Sequence, residues 1–242
     1  MTPIEVALEA STRHASVAAR ILEAEGASTL HLRELNPERA HASDLLPALD
    51  ALLNELGAQP SDVELICVGT GPGSYTGVRV AIALAQGIAL AGNRRLCGVP
   101  SIEAELYGQL EVGEVGTALR DARGGRFTLG TFFRSETRLE QRSAPLAVPA
   151  ADLREALGRS LGDSDSPVLL AEPNLLETLT GSGSLLHGLE EAERAQVREL
   201  RPASACAVLK LGSARAQKGP GPPLEEVLPL YLAEFAVRPR SR

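Results

Sequence analysis

The run Gly71-Pro72-Gly73-Ser74-Tyr75-Thr76-Gly77-Val78-Arg79 holds the residues of this chain best placed for chemistry. A glycine-rich turn between a strand and a helix N-terminus presents free N–H groups and the positive end of the helix dipole, which together suit an anion. Ser74 and Thr76 are both types that cap a helix start by accepting from the first-turn N–H groups. The spacing fits neither standard phosphate loop. A P-loop requires G-x-x-x-x-G-K-[ST], but Gly73 and Gly77 are one residue too close and Val78 stands where lysine is needed. Gly71, Gly73 and Gly77 read G-x-G-x-x-x-G rather than the dinucleotide fingerprint G-x-G-x-x-G. The plainer role of Gly71 and Gly73 is to supply the φ freedom of a tight turn.

Other chemistry has thinner support. His14, His31, His41 and His187 include no pair four apart, so no helix face presents a paired metal site. His41 reads as a solvated or capping residue at a helix front. Cys67, Cys97 and Cys206 are odd in number and widely spaced, without a C-x-x-C signature, and Cys67 reads as a small core residue. Ser74 lacks the second glycine of G-x-S-x-G, since Thr76 occupies that place. Glu9 ends the first strand and is followed by Ala10-Ser11-Thr12 with no glycine, a poor turn for phosphate and magnesium. It is either a residual ligand or a solvated acid at a strand end.

These residues sit on elements that the pattern makes visible. Strands are expected at Ile4–Ala10, Ser16–Leu22 and Thr29–Glu34, joined closely enough for an antiparallel meander. Ala40–Leu56 reads as an amphipathic helix with Leu45, Leu46, Leu49, Leu52, Leu53 and Leu56 at helical spacing, stopped at Gly57. Leu65–Gly69 is a buried strand feeding the glycine turn, and Tyr75–Ala91 an almost wholly apolar helix, a pattern that demands burial on more than one side. Two rows of small residues run along it, Gly77-Ala81-Ala85 and Ala83-Gly87-Ala91. One suits the domain's own sheet and the other a second helix or another protein. The apolar run, about 14 residues interrupted by Arg79, falls short of the roughly 20 that a membrane span needs.

A strand at Arg95–Val99 completes the order βββαβαβ. A helix follows at Ile102–Gln109, a hairpin at Thr117–Ala122 and Arg126–Phe133, a helix at Ala150–Arg159, a strand at Pro167–Ala171, and helices at Pro173–Leu179 and Ala203–Gln217. A last strand is expected at Leu228–Ala236 and a basic tail at Arg238–Arg242. No short sequence repeat is evident, and two units joined near residues 100–115 are expected. Of the 242 residues 44% are hydrophobic but only 3% aromatic, with no tryptophan, so the core must be aliphatic. A net charge of −7 disfavours unaided nucleic-acid binding, which needs a basic face. Met1–Leu8 lacks the basic start and long apolar run of a signal peptide, and a cytoplasmic location is expected.

GPGSYTGVR followed by Gln86-Gly87-Ile88-Ala89 resembles the signature of the TsaB family, formerly YeaZ. Val6–Ala18 is similar to the family's opening strand–turn–strand, and His41–Leu53 to its first helix. Asp121–Phe127 (DARGGRF) resembles its hairpin and Pro229–Leu232 (PLYL) its ending. The resemblance spans nearly the whole chain, and the central motif is its specific part.

The resemblance implies the α/β fold of actin, sugar kinases and heat-shock chaperones (ASKHA), with two βββαβαβ subdomains, expected at 1–103 and 104–242. It implies a non-catalytic partner of TsaD and of the ATPase TsaE, in the assembly that places threonylcarbamoyl on adenosine 37 of tRNAs reading ANN codons. ATP and metal are expected on those partners, with no cofactor intrinsic to this chain, and tRNA is met only through the complex. A homodimer is a further expectation for the isolated chain, and no membrane contact is expected. The expected docking residues are Leu45, Leu49, Leu52, Gly77, Ala81 and Ala85. Gly71, Gly73, Ser74, Thr76 and Arg79 form the motif loop, and Glu9 marks a vestigial nucleotide site. The alternatives are an ASKHA-type ATPase or kinase with its own nucleotide site and, ranked last, a protease.

Overall fold

The structure is a computed structural model that describes residues 3–22, 28–38, 42–136, 138–180, 186–187, 195–219 and 221–232. The expected roles of His41 and of the tail at Arg238–Arg242 lie outside those residues.

β1 (Ile4–Glu9) is buried along its whole length, as a strand covered on both faces must be. It pairs antiparallel with β2 (Ser16–Leu22), which pairs antiparallel with β3 (Ser28–Glu34). On its other side β1 runs parallel to β4 (Val63–Gly69), and β4 to β5 (Arg95–Val99), giving the order β3-β2-β1-β4-β5. Parallel neighbours need crossover helices. These are α1 (Leu45–Glu55) and α2 (Tyr75–Gly92). Gly57, at φ 64°, takes the left-handed position just past the end of α1. α2 has 18 residues and, by length and composition alone, could cross a membrane. Instead Gly77, Val78, Ala81, Ile82, Ala85 and Ala89 are buried on the sheet side.

The second sheet repeats this plan. β6 (Val115–Arg123), β7 (Arg126–Arg134) and β8 (Leu139–Pro149) form an antiparallel meander, and β6 runs parallel to β9 (Val168–Ala171) and β9 to β10 (Gln196–Glu199). Its order β10-β9-β6-β7-β8 is the first sheet's order read from the other end. With α4 (Leu153–Leu161) and α5 (Pro173–Thr180) as crossovers, each unit is βββαβαβ, the two-unit order that the ASKHA resemblance implies. β8 and β10 are the two strands the sequence pattern does not announce. Both lie at sheet edges: β8 carries Pro145 and Pro149, and β10 is the four-residue, largely polar run QVRE. Edge strands tolerate proline and lose the clean alternation of buried and exposed positions.

The helix that closes each unit lies against the other unit's sheet. α3 (Ser101–Tyr107) follows β5, yet Ile102 and Leu106 pack with Ala118, Phe132, Val168 and Leu170 of the second sheet. α6 (Ala205–Ala216) follows β10, yet Val208, Leu209 and Leu211 pack with Ala7, Leu65, Cys67 and Val99 of the first. α6 rides so close that a β-carbon on Gly212 would stand 2.4 Å from the Cys67 sulfur. The C-terminal segment returns as well: Val227 joins the first core, and Gln86 donates to the carbonyls of Leu224 (2.8 Å) and Val227 (3.2 Å). A division at 103/104 therefore separates the sheets but not the packing.

The strand expected from Leu228 is not formed over Leu228–Leu232. Leu230 N–H donates to Thr70 O (2.8 Å), but Pro229 has no N–H to extend a ladder. The remainder of that expected strand, 233–236, falls outside the described residues.

Candidate functional site

The glycine loop is filled from within. Ser74 N–H donates to Ser11 O at 2.6 Å, and Gly71 N–H donates to the Ser101 hydroxyl at 3.0 Å. Ser101 N–H donates back to Gly71 O at 2.7 Å. Ser74 is the N-cap of α2: its side chain accepts from Gly77 N–H (3.2 Å), and its carbonyl accepts from Val78 N–H (2.9 Å). A β-carbon on Gly73 would stand 2.1 Å from Ser11 O, and one on Gly77 would stand 2.2 Å from Ala10 O. The turn after β1, where this fold class holds phosphate, and the glycine loop are thus packed backbone to backbone. The ASKHA resemblance implies a nucleotide, but the N–H donors of Ser11, Gly71 and Ser74 already serve Glu9, Ser101 and Ser11 of the chain itself and are not free for its phosphates.

Glu9 belongs to the same knot and is not a solvated strand-end acid. It is 1% exposed, accepts from Ser11 N–H at 2.6 Å and from the Ser101 hydroxyl at 2.8 Å. A side chain at Gly69 would collide with its carboxylate. Burial pushes the Glu9 carboxyl above the usual range, opposed by the hydrogen bonds from Ser11 and Ser101 and by the Arg120 charge.

Arg120, on β6, gathers a second layer. It donates to Glu105 Oε1 (2.9 Å), to Glu172 Oε1 (3.1 Å) and to the carbonyl of Pro72 (3.1 Å), while Glu172 Oε2 accepts from Asp121 N–H (2.9 Å). One guanidinium thus ties together α3, the connection from β9 to α5 and the glycine loop. Burial, outweighing the attraction of Arg120, pushes the Glu105 carboxyl up to about 7, with Glu9 and Glu172 adding like charge. Glu105 Oε2 and the Ser11 hydroxyl are buried with no hydrogen-bond partner within the protein.

Ser101, Glu105, Arg120 and Glu172 are site residues that sequence reasoning missed. Their partners lie 15 to 92 positions away, beyond any motif spacing. One signal was present: Arg120 interrupts the otherwise uncharged run of β6 before Asp121. Among the described residues, no three His, Cys, Asp or Glu side chains converge as metal ligands would.

The expected docking residues prove to be core. Leu45, Leu49 and Leu52 are buried under α1, and Gly77, Ala81 and Ala85 under α2. These positions pack into the first core, beside β1, β2 and β4. The other row, Ala83-Gly87-Ala91, is exposed, and a β-carbon on Gly87 would meet nothing within 4 Å. Leu90 beside it is 75% exposed, and Leu46 on α1 is 49% exposed. At the helix start, Thr76 and Arg79 are exposed, and the Arg79 guanidinium lies 4.9 Å from the Tyr75 ring centre. Tyr75 meets Tyr231 at 5.8 Å, so the PLYL segment and the glycine motif, far apart in sequence, adjoin.

The comparisons agree with this architecture. The family model described as TsaD, tRNA N6-adenosine threonylcarbamoyltransferase, matches residues 35–150. The tRNA threonylcarbamoyladenosine biosynthesis protein TsaB of Bacillus subtilis is 32% identical over 132 residues, 54% of this chain and 56% of that protein. The protein of the same name from Escherichia coli is 36% identical over 97 residues, 40% of each. The chain thus spans about half the length, or less, of these curated relatives. A solved structure from Pseudomonas aeruginosa, described as an uncharacterized protein with similarity to peptidase YeaZ, superposes with a TM-score of 0.72. It is 27% identical and covers 96% of this chain and 100% of its own.

Proposed function

This chain belongs to the TsaB (YeaZ) family, and on that premise we propose that it is a non-catalytic partner of a TsaD-type transferase in forming N6-threonylcarbamoyladenosine on tRNA. The product is placed at position 37 of tRNAs reading ANN codons. The observation that carries this reading is the division of labour along α2. One row of small residues is locked into the chain's own sheet, while the opposite row, with Leu90, faces outward. Small side chains let a second helix approach closely, and an exposed apolar face gains by being covered.

The filled glycine loop supports the absence of a nucleotide site of its own. ATP and metal then belong to TsaD and to the ATPase TsaE, and tRNA is met through the complex. The same α2 face, being self-complementary in its small residues, serves as a homodimer contact when TsaD is absent.

Purified chain mixed with TsaD from the same organism should co-elute on size exclusion. It should raise threonylcarbamoyl transfer by TsaD while turning over no ATP alone. Independent elution of the two, or ATP hydrolysis by the isolated chain, contradicts the proposal.

A further inference from the structure

Arg120 lies on the second sheet, yet one of its three bonds goes to the carbonyl of Pro72, two residues ahead of the α2 N-cap Ser74. Its other bonds anchor it to Glu105 on α3 and to Glu172 beyond β9. At 8% exposed, it is held on several sides rather than draped over a surface. Planar guanidinium donors directed at three acceptors in fixed directions transmit position, which a flexible point charge cannot do.

We propose that Arg120 is a positioning residue that couples the second unit to the start of α2, so that the outward face of that helix is presented only while the two units stay joined through the Pro72 carbonyl. The inference rests on the proposed role of α2 in docking; the coupling itself stands on the bonds above. Displacing Pro72 shifts Gly73 and Ser74, and with them the bonds from Ser74 to Ser11 and from Gly77 to Ser74 that seat the first turn.

The test is amide hydrogen exchange on the isolated full chain, comparing wild type, Arg120→Met and Arg120→Lys. The expected result for Arg120→Met is exchange about tenfold faster at Gly71, Ser74, Gly77 and Val78, as for loss of one charge-assisted bond. Leu65–Val68 of β4 should be unchanged. Arg120→Lys retains the charge but not the fork, and should quicken the same loop amides. A merely structural role predicts uniform acceleration across loop and strand, and that outcome, or no change in either variant, overturns the inference. If Arg120→Met does not fold, Arg120→Lys alone decides between the localised and the uniform pattern. TsaD affinity is read in parallel: wild type that binds TsaD, with both variants binding equally well, overturns the coupling. Wild type that fails to bind overturns the docking role alone, and the exchange pattern still decides the coupling.

Discussion

Gly73 and Ser11 are packed so closely that the Ser11 carbonyl oxygen lies 2.1 Å from where a Gly73 β-carbon would be. This contact converts an apparent phosphate cradle into a clasp between the first turn and α2. Ser11 O accepts the N–H of Ser74, the next residue along, so a shift to relieve the collision would break that bond.

Two glycines of the motif should therefore respond oppositely to one methyl group. Gly73→Ala overpacks a backbone contact and should destabilise the chain by about 1–3 kcal/mol. Gly87→Ala adds its methyl to open space in a helix interior and should stabilise by about 0.5–1 kcal/mol. Urea denaturation of both variants checks this; equal effects would contradict the filled-loop geometry.

The hydroxyl of Ser101 stands between Glu9 and Gly71, donating to one and accepting from the other. Ser101→Ala leaves a buried N–H without its acceptor and a buried carboxylate short of a donor, at a cost of about 1–3 kcal/mol. Ser101→Thr keeps the hydroxyl and should recover part of that loss. Chemical denaturation of the two variants side by side gives the answer, and a neutral Ser101→Ala would refute the knot.

Much of this was legible before the fold was known, for reasons that differ between residues. α1 announces itself because burying one face imposes a helical period, and β4 and α2 because burial on more than one side leaves apolar runs of strand and helix length. The two small-residue rows of α2 were visible, but not which row faced inward. That choice depends on the β1 turn pressing on Gly77 through Ala10, a contact 67 positions away in sequence that local pattern does not contain. Arg120, Glu105 and Glu172 were unreadable as a group for the same reason. β8 and β10 were missed because edge strands need not alternate.

Glu105 makes stability depend on pH. Its carboxyl is pushed from its ordinary value of 4.5 up to about 7 by burial, with Arg120 attracting it and Glu9 and Glu172 repelling it. A carboxyl that is harder to ionise when folded contributes stability that is full below the unfolded value and is lost as pH rises through the folded one. Between about pH 4.5 and 7 the wild type should therefore lose stability relative to Glu105→Gln, which cannot titrate. Melting temperatures of both proteins across pH 5 to 8 should converge or cross in favour of the variant at the alkaline end. A constant difference would show that Glu105 ionises as freely in the fold as outside it.

The central claim is that the outward row of α2 is the docking face, and affinity for TsaD with Ala83→Arg and Leu90→Arg measures it most directly. Both positions are exposed, so thermal melts should stay within about 0.5 kcal/mol of wild type. Ala81→Leu and Ala85→Leu, buried at 0% exposure, should instead disturb the fold itself. Burying an unpaired charge in the complex should weaken TsaD binding about 30-fold or more in each arginine variant. Arginine variants that fold normally and hold TsaD as tightly as wild type would contradict the claim.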